Sequence, residues 1–427
     1  LGNEDKKESV QLQGIHTVNK QQAVTMKHLN KHFSTKIKLL LGYTISGFGD
    51  QFYTFAIPLL MLSRSHSAVI MGLLTAMEYL PTALFGLVIG SVFDVYQKRK
   101  VMWVSLFTQM VLILAIPILV LNNFPLWLVL AAIFVIGLFD LLSWTGYQIL
   151  IAETVSVEEL PSISGHVGLI SSVQRMFGPG VAALIINVLG YVGGFVLDAV
   201  SFGYLTYAIK DVKPVTEKGD DPEQEVVTMK ERTIAGLRFI WQNHNLRWLI
   251  TSFLIANIGF QVVVPMLTFV LKQHMQVSIG AVSIFFTVAS IAGILGNFIY
   301  LRANRRIKLG HQLVMTGTVI LIGFSIMTML NSFPLVATGY ALVSFGSVWS
   351  QANFFTIIQA QTPDQYKGMV TTASTTLTRI AGPVLALLSG FLTKIDVHII
   401  FWAAIGCMVG SILVMVKSGL FKMVKPA

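Results

Sequence analysis

The sequence predicts an all-α integral membrane protein, with twelve transmembrane helices arranged as two six-helix repeats. Three observations predict it. Apolar residues make up 54% of the 427 residues and charged residues only 12%, about half the ~25% usual in soluble domains; the mean hydropathy is +0.71. The apolar residues fall into runs of the ~20 residues that a helix needs to cross the hydrocarbon core. The runs come in two sets of six, parted by one long polar segment. A soluble enzyme of this composition would expose large apolar patches, and a disordered chain needs the opposite composition.

Residues 1–36 are polar and of mixed charge. They hold no apolar core of the ~7–15 residues that a cleavable signal peptide needs, and those ahead of Met26 carry none of the fold argument. The spans are expected at 38–62, 68–93, 101–121, 125–151, 162–188 and 191–209, then at 247–271, 279–301, 310–330, 334–358, 369–392 and 398–416. Polar turns such as Asn122-Asn123 and Asn331-Ser332 separate neighbours. This divides the chain into a bundle over 37–209, a linker over 210–246, a bundle over 247–418 and a tail over 419–427. The linker carries Pro214 and an acidic stretch from Glu217 to Glu225.

Basic residues set the orientation. From Met26 on, 22 Lys and Arg fall on one side; only Arg64, Lys272 and Lys394 fall on the other. Both termini are therefore expected in the cytoplasm. Because the net charge of +10 sits in the gaps between apolar runs, with no aromatic-interleaved basic patch, no nucleic-acid partner is expected. The single cysteine, Cys407, lies in an apolar run and allows no disulfide within the chain.

The halves repeat. Residues 175–184 (RMFGPGVAAL) align with 379–388 (RIAGPVLALL) at an offset of 204, sharing five of ten positions. Asp50 to Pro58 aligns with Asn257 to Pro265. A parallel repeat of this kind places the substrate site between the halves, near the midplane.

Ionisable groups in hydrocarbon are costly, so each one is a functional candidate. At ~1.5 Å per residue, Asp50 lies about 18 Å into the first span and Glu78 about 15 Å into the second. Asp140 lies in the fourth span. The spans of the second half contain no Asp or Glu, so the first half holds the proton-coupling candidates Asp50, Glu78 and Asp140. Two carboxylates in low dielectric resist joint ionisation, which suits a proton carrier. The alternative reading pairs Asp50 with Arg175 as a structural strut. Arg175 and Arg379 each stand three residues ahead of a Gly-Pro. The proline kinks a helix and the glycine lets helices approach. Arg175, Gly178, Pro179, Arg379, Gly382 and Pro383 are thus a hinge at the interface between halves, or a packing kink.

Several stretches carry a family resemblance. They are Gly49-Asp50 with Ile57-Pro58-Leu59-Leu60, Gly90-x-x-x-Asp94 with Lys98-Arg99-Lys100, Glu158-Glu159-Leu160-Pro161, Gly178-Pro179, Leu197-Asp198-Ala199-x-Ser201-Phe202, and Gly236 to Trp241. Over about residues 36–418 the chain resembles the major facilitator superfamily. More narrowly, it is similar to bacterial drug–proton antiporters of the macrolide-efflux and siderophore-exporter type.

The resemblance implies a transporter rather than an enzyme, monomeric and multi-pass in the bacterial cytoplasmic membrane. Its partners would be a small-molecule substrate, protons and the lipid bilayer. Asp94, with Lys98 and Arg99, would form a cytoplasmic gate. The sixth span would pack on the outside of the bundle, giving Asp198 a structural bond. Pocket walls would come from the first, fourth, seventh and tenth spans. The candidates there are Phe52, Tyr53, Trp144, Tyr147, Gln148, Phe260, Gln261, Trp349, Gln351 and Asn353, an aromatic and amide lining that suits an amphipathic solute.

No Walker loop, Gly-rich nucleotide fingerprint or metal-spaced His/Cys set occurs, so neither cofactor nor metal is expected and the energy source is not ATP. The expectation is proton-coupled efflux of amphipathic small molecules by alternating access. A nutrient importer of the same fold is the alternative.

Overall fold

The computed structural model describes residues 37–86, 89, 92–93, 96–154, 160–210, 229–303, 306–363, 370, 373–374, 377–378 and 381–423. Helix runs through each of the twelve expected segments, and no strand occurs among the described residues. Nine helices among them are long and apolar enough to cross a membrane, and Gly382–Ile395 is a shorter apolar one. The first helix, 37–65, is not among the nine; it carries Asp50-Gln51 at its middle.

Local chemistry sets the boundaries. The second span, Ala68–Phe85, starts where the Ser67 hydroxyl accepts the amide of Ile70, satisfying one of a helix's orphan donors. The third and fourth spans are Lys98–Leu121 and Leu126–Thr154. The fifth and sixth are the two arms of the helical run Leu160–Ile209, parted at Gly190 with φ 69°, a conformation that glycine adopts without a Cβ penalty. The seventh starts at His244, capped by Asn243. It tightens to a 3₁₀ turn at Val264–Met266 and widens to a π turn at Val270–His274. Pro265, which lacks an amide donor, sits in the 3₁₀ turn. The eighth to tenth spans are Ile279–Ala303, Leu309–Met327 and Phe333–Gln361. The eleventh includes Gly382–Ile395, and the twelfth is Val397–Lys417.

The expected linker is not wholly irregular. Met229–Gln242 is an amphipathic helix that buries Ile240 against Leu246, Leu249 and Met415 and leaves Trp241 exposed. The tail is partly docked as well. A 3₁₀ turn at Leu420–Lys422 buries Leu420, and the Gly310 amide bonds to the Met423 carbonyl at 3.2 Å.

Glycines let backbones meet inside the second half. A Cβ on Gly323 would stand 2.6 Å from the Gly339 carbonyl, joining the ninth and tenth spans, and one on Gly296 2.2 Å from the Phe345 carbonyl, joining the eighth and tenth. Without a hydrophobic drive between helices in lipid, such close packing is a main source of cohesion.

Residue contacts between the halves gather in the half of the bundle holding the 66–67 and 276–278 turns. Gly72 of the second span meets the Ala386 carbonyl and Gly390 of the eleventh, and Gly390 in turn meets the Ala68 carbonyl. The Ser283 hydroxyl of the eighth span donates to the Pro179 carbonyl of the fifth at 2.8 Å. At the surface of that end Gln273 bonds to His66 at 2.6 Å.

Candidate transport site

The first span organises the first half. Gly47 gives room to the Gln174 side chain, whose Nε2 donates to the carbonyls of Tyr43 and Thr44 at 3.1 and 3.0 Å. Gly49 lies against Asp198 and Ser201 of the sixth span, and Gln51 against Gly178 of the fifth. The first span is thus held on two sides, which fixes where Asp50 and Tyr53 point.

The three carboxylates named from sequence are linked electrostatically through Asp140. Asp50 lies within electrostatic range of Asp140, and so does Glu78. Tyr53 lies within range of Asp50, Glu78, Asp140 and Asp198. It is buried, and its hydroxyl has no hydrogen-bond partner. Gly137 brings the fourth span against the Glu78 carbonyl and Pro81 of the second.

Asp140, Trp144 and Gln148 recur every four residues and share one face of the fourth span; all three are exposed. Tyr147, on one flank, reaches the Leu39 carbonyl of the first span at 3.2 Å. Gly137, one turn before Asp140 on the same face, packs on the second span. The third span takes the far side, where Gln109 bonds to Ser143 at 3.1 Å. The exposed stripe therefore opens between the first and second spans, into the bundle rather than toward lipid. Asp140 heads this indentation, and aromatic rings wall it: Tyr43 stacks on Tyr147 at 4.8 Å and lies 5.9 Å from Trp144.

The other pocket candidates divide. Phe52 is buried edge-on to Phe195 at 5.3 Å and fills the space over Gly194, so it packs on the sixth span rather than lining a pocket. Trp349 is buried with Tyr300 and Ala303, and its indole donates to Gln312 of the ninth span at 2.8 Å; it too is a packing residue here. Phe260 is half-buried and edge-on to Phe324 at 5.3 Å. Gln351 is half-buried. Asn353 is fully buried, with neither amide atom hydrogen-bonded.

Gln261 sits against Gly382, as Gln51 sits against Gly178. Gln51 makes its contact through Cβ and Gln261 through Oε1. Asn257, which the sequence aligns with Asp50, bonds along its own helix to the Phe253 carbonyl at 2.9 Å. Of the two aligned prolines, Pro58 lies in continuous helix and Pro265 in a 3₁₀ turn.

The hinge set also divides. Gly178 and Gly382 pack within their own halves. Across the halves the contacts are the Pro179 carbonyl with Ser283, and Gly180 near Ser283 and Thr287. Pro383 is buried. The Arg175 side chain, Arg379 and Asp94 lie outside the described residues. Lys98 and Arg99 open the third span.

The resemblance implied a structural bond for Asp198. Ser201 supplies one, a long 3.5 Å to Oδ1; Asp198 is 1% exposed, and among the described residues its Oδ2 has no hydrogen-bond partner. Its signals in the sequence were an acid inside a span and the Leu197-Asp198-Ala199-x-Ser201-Phe202 stretch.

The comparisons agree with this architecture. The sequence profile described as Major Facilitator Superfamily matches residues 39–386. The chain belongs to the major facilitator superfamily. It is similar to "Multidrug efflux pump Tap" of Mycolicibacterium fortuitum, 23% identical over 367 residues, 82% of this chain and 87% of that one. It is similar also to "Macrolide efflux protein A" of Streptococcus pyogenes, 20% identical over 388 residues, 87% and 93% of the two chains. Among solved structures, a bacterial homologue of the iron transporter ferroportin in an inward-facing state superposes with a TM-score of 0.72 at 17% identity, covering 90% of this chain and 98% of that one. The protein is thus a multi-pass membrane transporter of this superfamily.

Proposed function

We propose that this major facilitator protein exports amphipathic small molecules in exchange for protons. The observation that carries the reading is the convergence of Asp50, Glu78 and Asp140 about Tyr53, at the head of the exposed Asp140–Trp144–Gln148 face. An export cycle of this kind needs proton-binding groups beside the solute path, and that face offers a carboxylate, a ring and an amide in one line. Similarity to proteins named for multidrug and macrolide efflux supports the direction and the class of solute.

Twelve crossings with both termini cytoplasmic belong to this reading; the charge count and the described helix in the expected segments support them. In that orientation the contacts between halves lie at the outer side, and the carboxylate face opens inward. Solute binds from the cytoplasm among Trp144, Tyr147, Gln148, Phe260 and Gln261. Asp94, Lys98 and Arg99 close the inner side, and the second and eleventh spans part on the outer side. A proton from outside discharges the carboxylate set and returns the halves.

Uptake of a radiolabelled macrolide into everted vesicles tests this. Vesicles with an acid interior must accumulate it above protein-free vesicles, and a protonophore must abolish the difference. Accumulation that ignores the protonophore rejects proton coupling. Movement only down the solute gradient rejects active export in favour of a facilitator.

A further inference from the structure

Asp198 stands apart from the carboxylates just assigned. It is the most deeply buried acid among the described residues, 1% exposed. Its neighbour Ser201 donates chiefly to the Asp198 carbonyl at 2.6 Å and stands a long 3.5 Å from Oδ1; among the described residues Oδ2 has no hydrogen-bond partner. No cation among the described side chains pairs with it. The carboxyl fits because the first span offers a glycine there: a Cβ on Gly49 would stand 2.2 Å from Oδ1. One turn further along the same face comes Tyr53, also buried, also with an unpartnered hydroxyl, and within electrostatic range of both Asp198 and Asp50.

A bare ionised oxygen in this setting is costly. The neutral acid removes that charge; in this arrangement the Tyr53 hydroxyl bonds to neither acid and is free to accept once it is brought within reach. The glycine notch, the orphan oxygen and the orphan hydroxyl have a common explanation if this place holds a proton.

We infer that Asp198 is a second proton-binding site of the transporter, occluded behind the first span, and that it exchanges its proton with Asp50 when movement of the first span brings the Tyr53 hydroxyl between the two. In that exchange Tyr53 takes a proton from one carboxylic acid as it gives its own to the other carboxylate. One proton moves, one O–H bond replaces another, and no other reagent is consumed. Among the described residues, the titratable groups within electrostatic range of Asp198 are Asp50 and Tyr53 of the first span; Tyr53 is within range of Glu78 and Asp140 as well. The site therefore answers to the ionisation of Asp50.

The coupling part of this inference rests on the exporter reading; the site itself does not. Asp198→Asn keeps size and shape and removes the proton. In purified protein, the infrared band of protonated carboxyl groups should lose intensity in Asp198→Asn. In everted vesicles held at zero membrane potential, the steady-state accumulation of the macrolide should fall about tenfold per pH unit imposed, the worth of one coupled proton. That ratio does not depend on how much active protein is present, so a merely structural role would slow uptake without changing it. Tyr53→Phe should slow the approach to steady state and leave the ratio intact. An unchanged ratio for Asp198→Asn at every gradient overturns the coupling role, and an unchanged carboxyl band overturns the site. If wild-type protein does not move the macrolide, the exporter reading fails, and the infrared comparison alone decides whether Asp198 holds a proton.

Discussion

A Cβ built on Gly178 would stand 2.6 Å from the Cβ of Gln51, and one on Gly382 would stand 2.1 Å from the Oε1 of Gln261. The distances are similar but the consequences differ. Gln51 meets Gly178 with the root of its side chain, which cannot swing away. Gln261 meets Gly382 with its flexible tip. Gly178→Leu should therefore overpack the contact of the first and fifth spans, at a typical cost of ~1–3 kcal/mol, and lower the melting temperature in detergent. Gln51→Ala in the same chain keeps the clashing Cβ and should restore little of the loss, whereas Gln51→Gly should restore more of it. Gly382→Ala should be milder than Gly178→Ala; equal losses would contradict the geometry. The repeated Gly-Pro was legible in sequence because it recurs at a fixed offset. Which neighbour each glycine admits was not, because that is a tertiary contact. Asp198 shows the same limit. Its acid was visible, but the notch opposite belongs to Gly49, nearly 150 positions away.

The spans themselves were legible, since each apolar run must satisfy its backbone internally in lipid and helix is the way to do so. The surface helix Met229–Gln242 was not, because a short amphipathic helix leaves only a weak trace in a polar segment. The different shape of the seventh span was not legible either: Pro265 sits in a 3₁₀ turn, whereas Pro58, aligned with it in the first span, lies in continuous helix. Two predictions belong to this scale. At the crossing of the second and eleventh spans, a Cβ on Gly390 meets the Ala68 carbonyl at 2.6 Å and the Val69 Cα at 3.0 Å. Those are backbone atoms that cannot yield. Gly390→Leu should hold the two spans apart there. In a Cys407→Ser background, labelling of Trp144→Cys by an impermeant thiol reagent from outside should rise with Gly390→Leu; unchanged labelling would mean this crossing does not seal that side. The second concerns the start of the twelfth span. The Asp396 carboxylate accepts the His398 amide at 2.8 Å and faces its ring Nδ1 at 2.9 Å. The amide bond first, then the ring, hold its carboxyl below the ordinary 3.8. A lowered value means this capping support is complete above pH 3.8 and lost as pH falls through the lowered value. Asp396→Ala should therefore melt below wild type at neutral pH, with the gap narrowing as pH drops below about 3.8. A gap constant with pH would assign the effect to packing.

Across the whole molecule the halves share a fold and differ in charge. The described spans of the second half present amides and rings, Gln261, Phe260, Gln351 and Asn353, where the first presents Asp50, Glu78 and Asp140. On the exporter reading proposed above, a symmetric fold loaded with acid on one side divides the labour: one half would bind protons, and the other would supply a wall against which the solute rests. Proton binding then shifts the balance of the two arrangements only through groups that change surroundings between them. Asp140 is such a group, since it lies on the exposed face beside the path, and Asp50 and Glu78 are in electrostatic contact with it. Asp50→Asn should abolish pH-driven export while leaving macrolide binding to purified protein intact, because the amide keeps shape and loses the proton. Glu78→Gln should displace the pH dependence of export or abolish it. If Asp50 were instead a strut to Arg175, Asp50→Asn would lower the melting temperature, and adding Arg175→Gln would bring export back. Export by everted vesicles at several imposed pH gradients, alongside melting in detergent, separates the two. Full proton-driven export by the Asp50→Asn, Glu78→Gln double variant would show that the carboxylates of the first half do not carry the coupling.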